Sequence, residues 1–174
     1  MPSSVNGNPI MRIVLMILIG ASSCKGPAGQ KEVPVRDEKN AMAKVMLTDL
    51  KDKPINLDQY KGRTVFINFW ATWCNPCLRE MPLIKRAQDS LSKYGIVFLL
   101  ASDESSEEII KFEKNYKYNF NYARVVNLEE LGVQGLPTTY IFNPSGKLAF
   151  SETGFRKWDD STNIEMILKI NSQK

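Results

Sequence analysis

Two apolar runs, "RTVFINFW" at residues 63–70 and "GIVFLLAS" at residues 95–102, constrain the fold more than anything else in this chain. Both are nearly unbroken and rich in β-branched and aromatic side chains, the pattern of strands buried on both faces of a parallel or mixed sheet. Between them the hydrophobic period becomes helical. Leu78, Met81, Ile84, Ala87 and Leu91 recur at spacings of three or four, which puts them on one face. Strand, helix and strand make a βαβ unit with a right-handed crossover expected.

The flanking segments extend this unit. "KVMLTDLKDKPINLDQYKG" reads as a leading hairpin and a short helical turn. Ser105 and Glu108 have capping-box spacing ahead of Ile109, Phe112 and Tyr116, which predicts a second helix. "TTYIFNPSGKLAFSE" reads as two strands joined by the turn "NPSG", and "STNIEMILKI" as a closing helix. The expectation is one α/β domain over residues 44–174, a mixed sheet flanked by helices with an N-terminal hairpin extension. A length of 174 residues with 43% hydrophobic content suits one such core plus extensions.

The N-terminal region has a different character. Arg12 precedes "IVLMILIGA", whose roughly nine residues would span only about 13 Å as a helix against a hydrocarbon core of about 30 Å. The run is too short to cross a membrane, and the small residues of "ASSC" follow it, so residues 1–24 read as an export signal. The charge at Arg12 points to Met11 as the start. Cys24 after an ordinary cleavage would be an unpaired thiol in an oxidising compartment, a problem that a lipid on its sulfur removes. Residues 25–43 are polar, contain Pro27 and Pro34, and read as a flexible tether. The formal charge of +4 falls to +2 once Arg12 and Lys25 are removed, and there is no basic cluster, which argues against nucleic-acid binding.

"FWATWCNPCLREMP" at residues 69–82 carries the chemistry. Cys74 and Cys77 lie between a buried strand and the opening of a helix, where positions i and i+3 approach disulfide separation. Helix-opening N–H groups and the positive end of the helix dipole lower a thiol's pKa there, so a nucleophile is available although the chain has no histidine. Pro76 has no N–H, so the donors must come from neighbours such as Cys77. Cys74 precedes the helix and is expected to be the more exposed of the two. Two cysteines without histidine cannot complete a zinc site, and Leu78 stands where covalent haem attachment needs histidine. A copper-delivery protein would also be expected to use histidine. An inert structural bridge is the remaining rival.

"NFWATWCNPCLREMP" together with "GVQGLPTTYIFNPSGKL" resembles the thioredoxin superfamily, and within it the TlpA/ResA-like exported thiol-disulfide oxidoreductases. The resemblance covers roughly residues 44–170. It implies a thioredoxin-like fold with Cys74 as attacking thiol and Cys77 as resolving thiol. It implies a cis Pro137 facing the cysteines and Leu136 offering main-chain hydrogen bonds to substrate. Trp73 reads either as an apolar rim of the active site or as an aromatic packed at the strand end, and Trp70 reads as core. Asn68 stands where thioredoxins carry a buried aspartate and cannot titrate. The proton acceptor is then expected at Glu80, one helical turn beyond Cys77, where ResA-like proteins carry a glutamate.

The stretch "GASSC" resembles a lipobox, with Ala21 where leucine is commonest. The expected location is therefore a periplasmic, membrane-anchored lipoprotein held through Cys24. The expected partners are a disulfide-containing protein substrate and a membrane-embedded dithiol donor, with cytochrome c maturation as the family's associated process. No cofactor or metal is implied. A peroxidase of the same fold is a rival, although its proline-threonine-cysteine arrangement is missing around Cys74; a lipid-anchored binding module with an inert bridge is another.

Overall fold

The computed structural model describes residues 41–173. Seven strands form one sheet: β1 (Leu47–Thr48), β2 (Pro54–Ile55), β3 (Val65–Phe69), β4 (Val97–Ser102), β5 (Asn121–Val125), β6 (Thr138–Phe142) and β7 (Leu148–Thr153). Their order is β2-β1-β5-β4-β3-β6-β7. The apolar runs are its centre: β3 and β4 pair in parallel, as do β4 and β5, whereas β6 runs antiparallel to β3 and β7 antiparallel to β6. The leading hairpin is present as β1 and β2, with β1 antiparallel to β5 and a short 3-10 turn following at Leu57–Tyr60.

Three helices complete the fold: α1 (Asn75–Leu91), α2 (Ser106–Tyr116) and α3 (Ser161–Asn171). The Ser105–Glu108 capping box is closed in both directions at the start of α2. Asp160 caps α3. Alternation along the strands sorts the core into two clusters. Phe66, Phe98, Leu100 and Ile141 pack with Met81, Ile84, Ala87 and Leu91 of α1, Ile109 and Phe112 of α2, and Ile167 and Ile170 of α3. Val65, Ile67, Phe69, Leu99, Ala101, Ala123 and Val125 pack with Met42, Val45 and Leu57. Each fully buried Val, Leu, Ile, Phe or Met among them contributes about 1.5–3 kcal/mol. Both faces are therefore covered, which is why β3 and β4 are apolar apart from the buried Asn68 and Ser102.

The structure departs from the sequence reading in three places. Ala41–Lys44 is a 3-10 turn whose Met42 is buried and whose main-chain N–H donates to the Gly146 carbonyl at 3.1 Å. The tether expected over residues 25–43 therefore yields its last three residues to the fold; the rest of it, the signal segment and Cys24 lie outside the described residues. Tyr116, expected inside, is half exposed and stacks on Phe112 at 4.3 Å. Strand β5 was not anticipated, because "NYARV" mixes an exposed Asn121 and a half-buried Arg124 with its apolar positions and has no clean period. No helix among the described residues is long and apolar enough to cross a membrane.

Candidate active site

The site forms where β3 runs out into α1. Cys74 is the residue that caps α1, in extended backbone conformation, and its sulfur accepts a hydrogen bond from the Cys77 main-chain N–H at 3.3 Å. That is the donor the sequence left available beside Pro76. Cys74 and Cys77 are joined as a disulfide with a Cα separation of 5.3 Å, inside the range such a bridge needs. Both residues are buried, Cys74 at 4% and Cys77 at 1% exposure, so the expected ordering holds by a narrow margin.

Glu80 points into the protein. It has no exposed surface, although a glutamate on the first turns of an amphipathic helix is ordinarily solvated. Its Oε1 accepts the indole N–H of Trp158 at 2.7 Å and the main-chain N–H of Arg156 at 2.9 Å, while Oε2 accepts the amide N–H of Asn68 at 3.2 Å. Burial raises its pKa to about 7, and these hydrogen bonds and the Arg156 charge oppose that rise without cancelling it. A carboxyl so placed exchanges a proton near neutral pH, which suits it to general acid-base work.

Asn68 links this carboxyl to the neighbouring strand. The same amide nitrogen donates to Thr139 Oγ1 at 3.0 Å, whereas its Oδ1 is buried with no partner among the described residues. Thr139 lies two residues beyond Pro137, and the Leu136–Pro137 bond is cis. The β3–β6 register pairs Phe69 with Thr138, so antiparallel topology sets Leu136 and Pro137 beside the end of β3 that leads to Cys74. Trp73, immediately before Cys74, is 71% exposed, whereas Trp70 is in the core. The structure thus brings Cys74, Cys77, Glu80, Leu136 and Pro137 to one end of the sheet.

Three contributors escaped the sequence reading. Trp158 and Arg156, from the loop between β7 and α3, supply two of the three donors to Glu80. The Arg156 guanidinium is held by Asn163 at 2.7 Å and by Glu152, and lies over the Phe150 and Trp158 rings. Glu104, just past β4, accepts from the Thr72 main-chain N–H and hydroxyl, each at 2.6 Å, and from the Ser102 hydroxyl at 3.0 Å. It ties the residue two before Cys74 to the adjacent strand. The available signal was a lone tryptophan in the polar loop "GFRKWDD", since a buried indole N–H needs an acceptor.

Comparison with known proteins agrees with this arrangement. Residues 39–151 match the AhpC/TSA family. The thiol-disulfide oxidoreductase ResA of Bacillus thuringiensis subsp. konkukian (strain 97-27) is 34% identical over 142 residues, covering 78% of this chain and 82% of the relative. Among solved structures, a thiol:disulfide interchange protein DsbE from Chlorobium tepidum superposes with a TM-score of 0.67 at 24% identity, covering 76% of this chain and 97% of that one, a likeness of fold. The exposed lipoprotein thioredoxin Etrx1 of Streptococcus pneumoniae strain TIGR4 superposes with a TM-score of 0.55 at 26% identity, covering 71% of this chain and 96% of that one. A capped cysteine pair at the end of a mixed sheet, a cis-proline beside it and these relatives lead to one conclusion: the chain belongs to the AhpC/TSA family, as a thioredoxin-fold thiol-disulfide oxidoreductase of the TlpA/ResA-like kind.

Proposed function

We propose that this enzyme is an exported, lipid-anchored reductase of disulfides in exported proteins. The observation that carries the reading is the Cys74–Cys77 couple at the start of α1 with the buried Glu80 one turn beyond it. In the reduced enzyme the Cys74 thiolate attacks one sulfur of the substrate disulfide. A Cys74–substrate bond forms, the substrate S–S bond breaks, and the released sulfur takes up a proton. Cys77 then gives its proton to Glu80 and attacks Cys74 Sγ, which forms the Cys74–Cys77 bridge, breaks the Cys74–substrate bond and frees the second substrate sulfur as a thiolate. That thiolate takes up a proton from solvent, and Glu80 returns its own to solvent. Two electrons pass to the substrate, and a membrane dithiol donor restores the enzyme by the reverse exchange. Trp73, Leu136 and Pro137 line the approach and hold the substrate segment.

The direction rests on the residues between the cysteines. An imidazolium there would stabilise the reduced thiolate and make the couple oxidising, but the pair is Asn75 and Pro76. The reduction potential is expected nearer that of thioredoxin, about −270 mV, than that of DsbA, about −120 mV. A titration against glutathione or dithiothreitol that gave a value above about −170 mV would reverse the direction. Peroxide consumption by the reduced protein in preference to disulfide exchange would replace the reading with the peroxidase one. A bridge insensitive to dithiols would replace it with an anchored binding module.

Cytochrome c maturation is the proposed setting, as in the resemblance, with the reductant delivered to cysteine pairs awaiting haem. The periplasmic lipoprotein location rests on "GASSC" and is supported by the lipoprotein character of the pneumococcal structure. The mature protein is expected in the membrane fraction, becoming soluble on Cys24→Ala with its activity in vitro unchanged. Mass spectrometry of the mature N-terminus checks this directly: an unmodified Cys24 removes the anchor.

A further inference from the structure

We propose that Trp158 is a positioning residue for the reaction: its indole N–H, with the Arg156 main-chain N–H, fills Oε1 of Glu80 and leaves Oε2 as the oxygen that takes the Cys77 proton. The inference rests on Glu80 accepting that proton in the function proposed above, and it follows from counting lone pairs. A carboxylate oxygen offers two acceptor sites. Both sites of Oε1 are taken, at 2.7 Å and 2.9 Å. Oε2 has one donor, the Asn68 amide at 3.2 Å, so one site is free for a proton. Protonation at Oε1 would force a buried indole or a main-chain N–H to give up its acceptor, whereas protonation at Oε2 disturbs no existing bond.

The surroundings fix Trp158 in this role. It is fully buried, its ring meets Phe66 edge-on at 4.8 Å and Phe150 at 6.0 Å, and the Arg156 guanidinium covers its face at 5.5 Å. The indole therefore cannot swing away when the carboxyl changes charge. Among the described residues, the hydrogen-bond partners of Glu80 come from two segments. From the β7–α3 loop come Trp158 and Arg156, the latter paired with Glu152; from β3 comes the neutral Asn68, itself bonded to Thr139 of β6; the cysteine couple precedes Glu80 at the start of α1. Because Trp158 donates to the charged form, it favours ionisation of a carboxyl that burial otherwise keeps protonated. Without it, Glu80 would accept the Cys77 proton only at higher pH, and would also gain a choice between two oxygens.

Two measurements test this. In the wild-type oxidised protein labelled with 15N-indole, the Trp158 Nε1–H resonance is expected to titrate near pH 7 and to lose that titration in Glu80→Gln. It should stay protected from solvent exchange at both ends of the titration, because Oε1 keeps its donors throughout. Loss of protection at low pH would put the proton on Oε1 and overturn the assignment. In Trp158→Phe, which keeps a ring against Phe66 and Phe150, the pH midpoint of mixed-disulfide resolution is expected to rise by about one unit or more. An unmoved midpoint would leave Trp158 a packing residue only. If Trp158→Phe does not fold, the wild-type resonance decides alone. Absence of disulfide exchange in the wild type would defeat the functional reading while leaving the indole titration to be scored separately.

Discussion

Cys74→Ser is expected to abolish disulfide exchange, whereas Cys77→Ser attacks once and stops as a stable mixed disulfide with its substrate. The asymmetry comes from the start of α1. Cys74 caps the helix and accepts the Cys77 N–H, so a thiolate there is stabilised by a hydrogen bond and by the dipole. Cys77 lies within the first turn, covered by the core. An anion at Cys77 has no such cap and needs a neighbouring base to form. Incubation with a disulfide-containing protein, followed by non-reducing electrophoresis, distinguishes the variants; adducts held through Cys77 would reverse the roles. The same pair separates a redox couple from a structural bridge. Closing so short a loop stabilises the fold by only about 2 kcal/mol in the chain-entropy account. Both serine variants are therefore expected to fold with small losses of stability and complete loss of turnover. A large loss of stability with exchange retained would mark the bridge as structural.

How much of this could be read from sequence follows from the range of the forces involved. β3, β4 and α1 were legible because their hydrophobic periods record burial on a sheet interior and on one helix face, and the α2 cap because it is closed within four residues. The Cys74–Cys77 couple was legible for the same reason: spacing of three at a helix start is a local fact. Glu80 was named from resemblance, but its burial was not foreseen, since the residues that bury it arrive from Asn68 on β3 and from Arg156 and Trp158 in a loop 76 and 78 positions away. Thr72 and Glu104, 32 residues apart, illustrate the same limit. Nothing in "ASDES" marks Glu104 as a brace until parallel pairing of β3 and β4 sets their ends side by side. Polar side chains that act across the sheet leave no period, so they become visible only with the fold.

Glu80→Gln is the substitution expected to change the most properties together. In the proposed mechanism the ionised Glu80 takes the Cys77 proton, and removing a positioned base typically costs about 10²-fold or more. Resolution of the mixed disulfide should slow by that order at pH 7 and lose its rise with pH through the Glu80 midpoint of about 7. The nucleophile responds in the other direction: loss of a nearby negative charge favours the Cys74 thiolate, so its pKa should fall, as thiolate absorbance followed against pH will show. Stability changes as well. The folded pKa lies above the ordinary value of 4.5, so the native state keeps a proton that the unfolded chain releases between pH 4.5 and about 7. Stability of the oxidised wild type therefore falls as pH rises through that window, by up to about 3 kcal/mol for the full shift, and no contribution is lost below it. A neutral glutamine has no such slope. Its carbonyl can still accept from Trp158 and Arg156, and its NH₂ can face the buried, unpartnered Oδ1 of Asn68 if that amide rotates. Glu80→Gln should accordingly be as stable as the wild type at pH 4.5 and more stable at pH 8, in urea titrations at the two pH values. Parallel pH profiles for the two proteins, with equal turnover, would reduce Glu80 to a buried structural carboxyl.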